Sequence, residues 1–182
     1  KDIRCPLDIE CPRVELLILG SGPEEQNLKR LAQNLDLSNE VIFTGHVDPD
    51  KIPEYLYQAD IFVRPSRSEG LGNSFLEAMA AGLPVIGTPV GGIPDFITNK
   101  ETGIFCEPDN PKDLANKIKL LFEDKNLSAK LSSNGRKLVF EKYSWDKIAS
   151  EINGILNKLC VYYWLREFIR RILAGRQLTL FY

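Results

Sequence analysis

The chain has 182 residues, of which 43% are hydrophobic and 26% charged, and its formal net charge is −2. These values are typical of one globular domain, and so small a net charge gives no reason to expect a nucleic acid as partner. Four cysteines without a C-x-x-C pair and a single histidine argue against a zinc site or disulfide framework and favour a reducing cytoplasm. We expect neither a membrane-spanning segment nor a signal peptide.

The first part of the chain alternates apolar runs with amphipathic segments. Residues 14–19 are apolar apart from Glu15, which predicts a strand buried on both faces of a parallel sheet. The turn at residues 20–23 leads into a predicted helix, whose apolar face carries Leu28, Leu31, Ala32 and Leu35. A second strand is predicted over residues 41–44 and is followed by a short helix.

The alternation continues through the rest of the chain. Strands are predicted at residues 61–63, 85–87 and 104–105, and a helix over residues 73–81 joins the first two and ends at Gly82. Further helices follow, the first opened by Pro111 and the last ending near Leu159. This order predicts an α/β fold with a doubly wound parallel sheet, in which ligands bind at the carboxyl ends of the strands.

Two glutamates enclose a glycine-rich stretch, Glu69-Gly-Leu-Gly-Asn-Ser-Phe-Leu-Glu77, between a predicted strand and a predicted helix. Gly70 and Gly72 would let a ligand approach the backbone closely. The start of the helix supplies unpaired amides and a positive dipole end, which suit a phosphate group. Because carboxylates accept hydrogen bonds from sugar and ribose hydroxyls, the arrangement indicates a sugar-nucleotide site.

Each glutamate also has a structural interpretation. Ser74-Phe-Leu-Glu77 fits the S-x-x-E capping box, in which Glu77 would reach back to the helix start. Glu69 could be a solvated loop carboxylate paired with Arg67. The residues alone leave both alternatives open.

The segment resembles the E-x7-E signature of the family 4 retaining glycosyltransferases, which have the two-domain GT-B architecture. The resemblance extends from about residue 15 to about residue 155 and covers further blocks in the same order. These blocks are Leu17-Ile-Leu-Gly-Ser-Gly-Pro-Glu-Glu, Val41-Ile-Phe-Thr-Gly-His-Val, Pro65-Ser-Arg-Ser-Glu-Gly, Pro84-Val-Ile-Gly-Thr-Pro-Val-Gly-Gly-Ile-Pro-Asp, Thr102-Gly-Ile-Phe and Tyr143-Ser-Trp. It implies the Rossmann-like, carboxyl-terminal, donor-binding domain of such an enzyme.

The resemblance also implies roles for single residues. Glu69 would be the catalytic residue, facing the donor sugar and stabilising an oxocarbenium-like transition state, and Glu77 would bind ribose. Backbone amides of the glycine-rich stretch would contact sugar hydroxyls and the distal phosphate, while no metal or cofactor is required. The residues assigned to the donor are Gly70, Leu71, Gly72, Asn73, Ser74, Glu77, Val47, Gly20 and Gly22.

The sequence departs from the family at both ends. The family's arginine and lysine, which neutralise the donor pyrophosphate, have no counterpart in residues 1–13, and the spacing does not support Arg4 or Arg13 as substitutes. Each lost charge-assisted hydrogen bond is worth roughly 1.5–3 kcal/mol, so we expect weak donor binding. We divide the chain into an irregular stub at 1–13, a donor-binding domain at 14–159 and an amphipathic tail at 160–182.

The tail carries an apolar stripe beside three arginines. Such a basic amphipathic helix is typical of an anionic membrane surface. Alternatively, the stripe belongs to the last helix of the family fold, which crosses back onto the amino-terminal domain. The stripe comprises Val161, Trp164, Leu165, Phe168 and Ile172.

The leading hypothesis is therefore the donor-binding domain of a cytoplasmic enzyme that transfers a hexose, with retention, from a UDP- or GDP-sugar to a glycan or lipid-linked acceptor. Without an acceptor-binding domain, the isolated chain should be inactive. The alternatives are a nucleotide-sugar-binding subunit that works with a separate acceptor-binding chain, and a truncated inactive homologue.

Overall fold

The computed structural model describes residues 14–173, with side chains described as far as residue 170. The predicted stub at 1–13, including Arg4 and Arg13, and the end of the predicted tail at 174–182 lie outside the described residues. The chain divides into two compact units, residues 1–55 and residues 56–182, and each unit is described by itself.

The first unit contains a two-stranded parallel sheet. Strands β1 (Leu16–Leu19) and β2 (Val41–Gly45) are joined by helix α1 (Glu25–Asn34), and the unit ends within helix α2 (Ile52–Gln58). The prediction that β1 is buried on both faces is wrong, because Leu16 is 52% exposed. A strand with a single neighbour in a two-stranded sheet has little to cover it. The small sheet also offers little cover to helix α1. Of the four residues predicted for its apolar face, only Ala32 is buried.

The second unit contains a three-stranded parallel sheet in the order β3 (Phe62–Arg64), β4 (Val85–Gly87), β5 (Ile104–Phe105). All three residues of the central strand β4 are buried. Helix α3 (Asn73–Ala81) joins β3 to β4 and ends at Gly82 as predicted, and Gly82 adopts the left-handed conformation. The alternation of parallel strands and helices is confirmed, but the described strands form two sheets rather than one.

Three helices complete the second unit: α4 (Pro111–Glu123), α5 (Lys125–Lys142) and α6 (Trp145–Leu173). Side chains cap the first two, since Asn110 accepts a hydrogen bond from the Asp113 amide and Asp124 accepts one from the Leu127 amide. The core lies where β4, β5, α4 and α5 meet. It is formed by Ile86, Ile104, Cys106, Leu121 and Leu131.

Helix α6 runs without a break across the predicted domain boundary at residue 159, and none of its side chains described up to residue 170 is buried. It carries two exposed apolar stripes, which we call stripe A and stripe B. At 3.6 residues per turn the two stripes lie about half a turn apart, on opposite sides of the helix. Within residues 14–173, no helix has an apolar stretch long enough to cross a membrane. Stripe A comprises Ile152, Ile155, Leu156 and Leu159, and stripe B comprises Val161, Trp164, Leu165 and Phe168, of which only Phe168 is half-buried rather than exposed.

Candidate functional site

The loop between β3 and α3, residues 65–72, carries the first glutamate of the motif and is fixed to the segment that follows β4. The Thr88 hydroxyl donates a hydrogen bond to the carbonyl oxygen of Ser66 at 2.5 Å. The Gly92 amide donates one to the carbonyl oxygen of Gly70 at 2.9 Å. Since Thr88 is fully buried, the loop rests on the core at the carboxyl end of the sheet.

Two glycines allow this contact to be made between backbones. A Cβ atom at Gly91 would lie 1.9 Å from the carbonyl oxygen of Glu69, and one at Gly92 would lie 2.7 Å from that of Gly70. Gly91 also has φ +55, a left-handed conformation that side chains disfavour. The glycine pair is therefore a packing element of the β3–α3 loop, a function that the sequence did not reveal.

Glu69 is held by two donors and is largely shielded from solvent. Its side chain is 14% exposed, and Oε2 lies 3.0 Å from a guanidinium nitrogen of Arg64 and accepts a hydrogen bond from the Ser66 hydroxyl at 3.2 Å. The suggested pairing with Arg67 is wrong. Arg67 instead pairs with Asp109, at 2.7 Å between Nε and Oδ1, and both of those side chains are well exposed.

Arg64 connects the loop to α3. The guanidinium that faces Glu69 also donates a hydrogen bond to the Ser74 hydroxyl at 2.7 Å. Arg64 is not among the site residues predicted from the sequence, although its position carries one signal. A charged residue ends an otherwise apolar strand directly before a proline, where its side chain must find a partner at the carboxyl edge of the sheet.

The start of α3 is not capped in the way the capping box requires. The N-cap residue is Gly72, in the left-handed conformation at φ 77, and it has no side chain with which to cap the helix. Ser74 is the second helical residue, and its hydroxyl accepts from Arg64 instead of from a helix amide. The capping-box interpretation of Glu77 is therefore wrong; Glu77 is exposed on α3. The open helix start retains the amides and dipole that favour an anion.

Aromatic packing fixes α3 beneath the loop. Phe75 is fully buried, and its ring lies 5.2 Å from that of Phe62 and 5.7 Å from that of Phe96, measured between centroids. The absence of a side chain at Gly87 makes room for this ring, because a Cβ atom there would approach it to 2.9 Å. A glycine in the central strand thus lets the first turn of α3 lie close to the sheet.

The other predicted donor residues fall into two groups. Gly70, Leu71 and Asn73 lie exposed beside Glu69, on the loop and at the helix start. Gly20 and Val47 belong to the first unit, where they follow the parallel strands β1 and β2 at one edge of that sheet, and the Gly20 amide donates to the Gly45 carbonyl at 2.9 Å. Gly22 follows Gly20 in the turn that precedes α1. The donor-binding roles of both groups stay predictions.

Known proteins resemble the chain over most of its length. A family model described as glycosyl transferases group 1 matches residues 7–138. The N-acetyl-alpha-D-glucosaminyl L-malate synthase of Bacillus anthracis is 36% identical over 78% of this chain. The GDP-mannose-dependent alpha-(1-6)-phosphatidylinositol monomannoside mannosyltransferase of Mycobacterium tuberculosis is 33% identical over 78%. The chain spans 36% and 38% of the lengths of these two relatives.

Solved structures confirm the fold. Alr3699/HepE of Anabaena, crystallised with UDP, superposes with a TM-score of 0.74 and 26% identity over 81% of this chain and 42% of that chain. The C-terminal domain of a group 1 glycosyl transferase from Francisella tularensis gives 0.62 and 34% identity, covering 66% of this chain and 63% of that chain. The expected Rossmann-like, carboxyl-terminal half of a GT-B protein is thereby confirmed. With a family model matching residues 7–138, the chain belongs to the glycosyl transferases of group 1.

Proposed function

We propose that this chain is the donor-binding domain of a retaining glycosyltransferase, which takes a hexose from a UDP- or GDP-sugar and passes it to a glycan or lipid-linked acceptor. The observation that carries the proposal is the position of Glu69. Its carboxylate is held by Arg64 and Ser66 on a loop that leads directly into the open start of α3. A carboxylate for hydroxyls and a helix start for phosphate thus lie next to each other in the chain.

Similar proteins support the choice of donor. One relative is named as GDP-mannose-dependent, and HepE was crystallised with UDP and with UDP-glucose. The UDP-glucose complex superposes with a TM-score of 0.75 at 25% identity. These names agree on a nucleoside diphosphate sugar and differ in the base, so we propose the class of donor and leave both bases to experiment.

The proposed roles follow from where the residues lie. Glu69 faces the donor sugar and stabilises the positive charge that develops at its anomeric carbon. The backbone amides of Leu71, Gly72 and Asn73 donate hydrogen bonds to the sugar, and the amides at Asn73 and Ser74 receive the distal phosphate. Glu77 accepts hydrogen bonds from ribose. We propose that no metal takes part.

We further propose that the chain alone does not transfer sugar. In a GT-B enzyme, donor and acceptor meet in a cleft between two domains, and their positioning supplies much of the rate gain. A second domain or chain that holds the acceptor is therefore a required partner. Without it, the donor sugar would stay open to water, which would weaken the electrostatic interactions that act on the transition state.

Amide chemical shifts of the purified chain, followed by NMR, test the proposal. UDP, GDP, UDP-glucose and GDP-mannose are titrated separately, since this method detects the weak binding that we expect. At least one nucleotide sugar should shift the amides of residues 69–77. Glu69→Gln should weaken binding of that nucleotide sugar while leaving binding of its nucleoside diphosphate unchanged.

Two results would contradict the proposal. The first is that none of the four compounds shifts these amides at millimolar concentration, which would favour an inactive homologue. The second is sugar transfer by this chain alone that is abolished by Glu69→Gln, which would show that no second domain is needed.

A further inference from the structure

We infer that Arg64 is a positioning residue of the donor site: it holds the Glu69 carboxylate towards the sugar by tying it to the first turn of α3. The inference rests on the proposed function and adds to it a residue outside the E-x7-E motif. Its basis is a single guanidinium shared by two partners on different elements. One nitrogen lies 3.0 Å from Glu69 Oε2, and another donates to the Ser74 hydroxyl at 2.7 Å.

The planar guanidinium suits this function because it offers several donors in a fixed arrangement. Arg64 is the last residue of β3, so its backbone is anchored in the sheet, where it pairs in register with Gly87. Glu69 lies on the loop and Ser74 on the helix. One side chain therefore fixes the loop carboxylate relative to both the sheet and α3.

The burial of the pair favours positioning over a general charge effect. The Glu69 side chain is 14% exposed, whereas the Arg64 side chain is 47% exposed. Exposed ion pairs contribute little, but a shielded carboxylate with two defined donors has a restricted orientation. Ser66 donates to the same oxygen, Oε2, at 3.2 Å, so Arg64 and Ser66 both contact one oxygen of the carboxylate. We therefore assign Oε1 as the oxygen that meets a sugar hydroxyl.

A direct contact between Arg64 and the donor phosphate is the competing role. The two roles differ in which ligand they affect. A positioning residue acts through Glu69 and therefore on the sugar, whereas a phosphate ligand would affect a nucleoside diphosphate and its sugar conjugate equally.

The chain contains a matched control three residues further on. Arg67 also forms an ion pair, at 2.7 Å to Asp109, but its side chain is 82% exposed and touches neither Glu69 nor Ser74 in any described hydrogen bond or ion pair. Arg67→Met removes one arginine and one ion pair from the same region, as Arg64→Met does. Any effect common to both variants reflects net charge or general loss of stability.

The experiment compares Arg64→Met, Arg64→Lys and Arg67→Met in the full chain, with two measurements. Hydrogen exchange, followed by mass spectrometry without ligand, should be about fivefold or more faster in residues 65–74 of Arg64→Met and unchanged in Arg67→Met. Titration with UDP, GDP, UDP-glucose and GDP-mannose should show about tenfold weaker binding of the nucleotide sugar, since Glu69 loses its ion pair with Arg64, and a less than twofold change for the diphosphate. Arg64→Lys should give an intermediate loss.

The results separate this inference from the proposed function. Failure of the unchanged chain to bind any nucleotide sugar rejects the proposed function. Unchanged exchange in Arg64→Met rejects the positioning role, whatever the ligand. Equal weakening of sugar and diphosphate identifies Arg64 as a phosphate ligand and also overturns the inference. If Arg64→Met and Glu69→Gln weaken nucleotide-sugar binding additively in the double variant, the two side chains do not act together and the inference fails.

Discussion

Helices α3 and α6 are both rich in apolar residues but differ in what surrounds them. Phe75, Ala78 and Met79 of α3 are fully buried against the sheet and neighbouring helix. Along α6, no side chain described between residues 145 and 170 is buried, and Trp164 is 65% exposed. An apolar sequence can thus form a helix in either setting, while tertiary burial decides how much a single residue contributes to stability.

The contrast extends to function. Glu69 lies on the loop that leads into the packed helix α3, and Glu77 lies in the middle of that helix. The sheet, the loop and the glycine pair together determine where α3 lies. Helix α6 carries no residue of the candidate site. We therefore expect substitutions at buried positions around α3 to affect folding, substitutions of its exposed site residues to affect donor binding, and substitutions on α6 to affect neither strongly. Four predictions test this comparison.

The largest effect is expected at Gly91, whose backbone touches the loop that leads into α3. Gly91→Val would place carbon atoms where the Glu69 carbonyl oxygen lies and impose a left-handed conformation on a branched residue. Strain and overpacking together should lower the free energy of unfolding by roughly 3 kcal/mol or more. Chemical denaturation measures this effect.

Gly70 provides the control for this substitution. It lies on the same loop, but a Cβ atom there would meet nothing within 4 Å, and its φ is not in the left-handed range. Gly70→Ala should therefore leave stability almost unchanged. Equal destabilisation by Gly70→Ala and Gly91→Val would show that the contact between the two backbones does not fix the loop.

Glu77→Ala should separate function from folding on α3 itself. Because Glu77 is exposed and its capping box does not form, melting should stay unchanged. Loss of a carboxylate that accepts hydrogen bonds from ribose should weaken nucleotide binding by roughly 1–3 kcal/mol. Calorimetry with the nucleotide that binds, next to a thermal melt, checks both parts; a lowered melting temperature with unchanged affinity would mean a structural role instead.

Two cysteines allow the buried core and the exposed helix α6 to be compared. Burial, with a smaller effect from the neighbouring Asp113 carboxylate, raises the pKa of the Cys106 thiol above its ordinary 9.0, while Cys160 on α6 is exposed. The folded state therefore holds the Cys106 proton more tightly than the unfolded state does. This contribution to stability is complete below pH 9 and is lost as the pH rises from 9 through the raised pKa.

The free energy of unfolding is measured by denaturation at pH 8 and at pH 10. Its decrease between these two pH values should be smaller in Cys106→Ala than in the unchanged chain. Peptide mass spectrometry after brief alkylation at pH 8 should find Cys160 modified well before Cys106. Similar alkylation rates would mean that the core around Cys106 opens readily, and the contrast with α6 would then be lost.

A small effect on stability is also expected on α6. Trp164→Glu combined with Leu165→Glu replaces two exposed apolar side chains, so the free energy of unfolding should change by about 0.5 kcal/mol or less. Self-association at high protein concentration should decrease, since exposed apolar surface promotes it. Sedimentation velocity measures the association. A large loss of stability would show that stripe B packs within the folded chain.

Local signals explain what the sequence predicted correctly. The bounds of α3 and its end at Gly82 follow from apolar spacing and from a glycine that accepts the left-handed conformation. The prediction that β1 is buried on both faces was wrong because burial depends on neighbouring elements rather than on the strand's own residues. Arg64 and Arg67 are equally charged and both lie within five residues of Glu69, so the sequence does not show which of them pairs with it; in the structure Arg64 does.

The Gly91 contact escaped prediction for a related reason. A glycine pair between two apolar segments first indicates a turn. Its second function depends on a backbone that passes it from more than twenty residues earlier in the chain. Such a contact forms only because the sheet places the segments that follow β3 and β4 side by side, and the local sequence does not show this.

The positions of stripes A and B on opposite sides of α6 restrict what could shield both of them. A flat surface, or a single straight helix laid along one side, would reach stripe A or stripe B and leave the other in water. Shielding both stripes therefore requires contact from opposite directions. Otherwise the helix must break between Leu159 and Val161, so that one half turns about its axis relative to the other. Because stripe A ends at Leu159 and stripe B begins at Val161, a peptide boundary at residue 160 would allow the two halves of the helix to be studied separately.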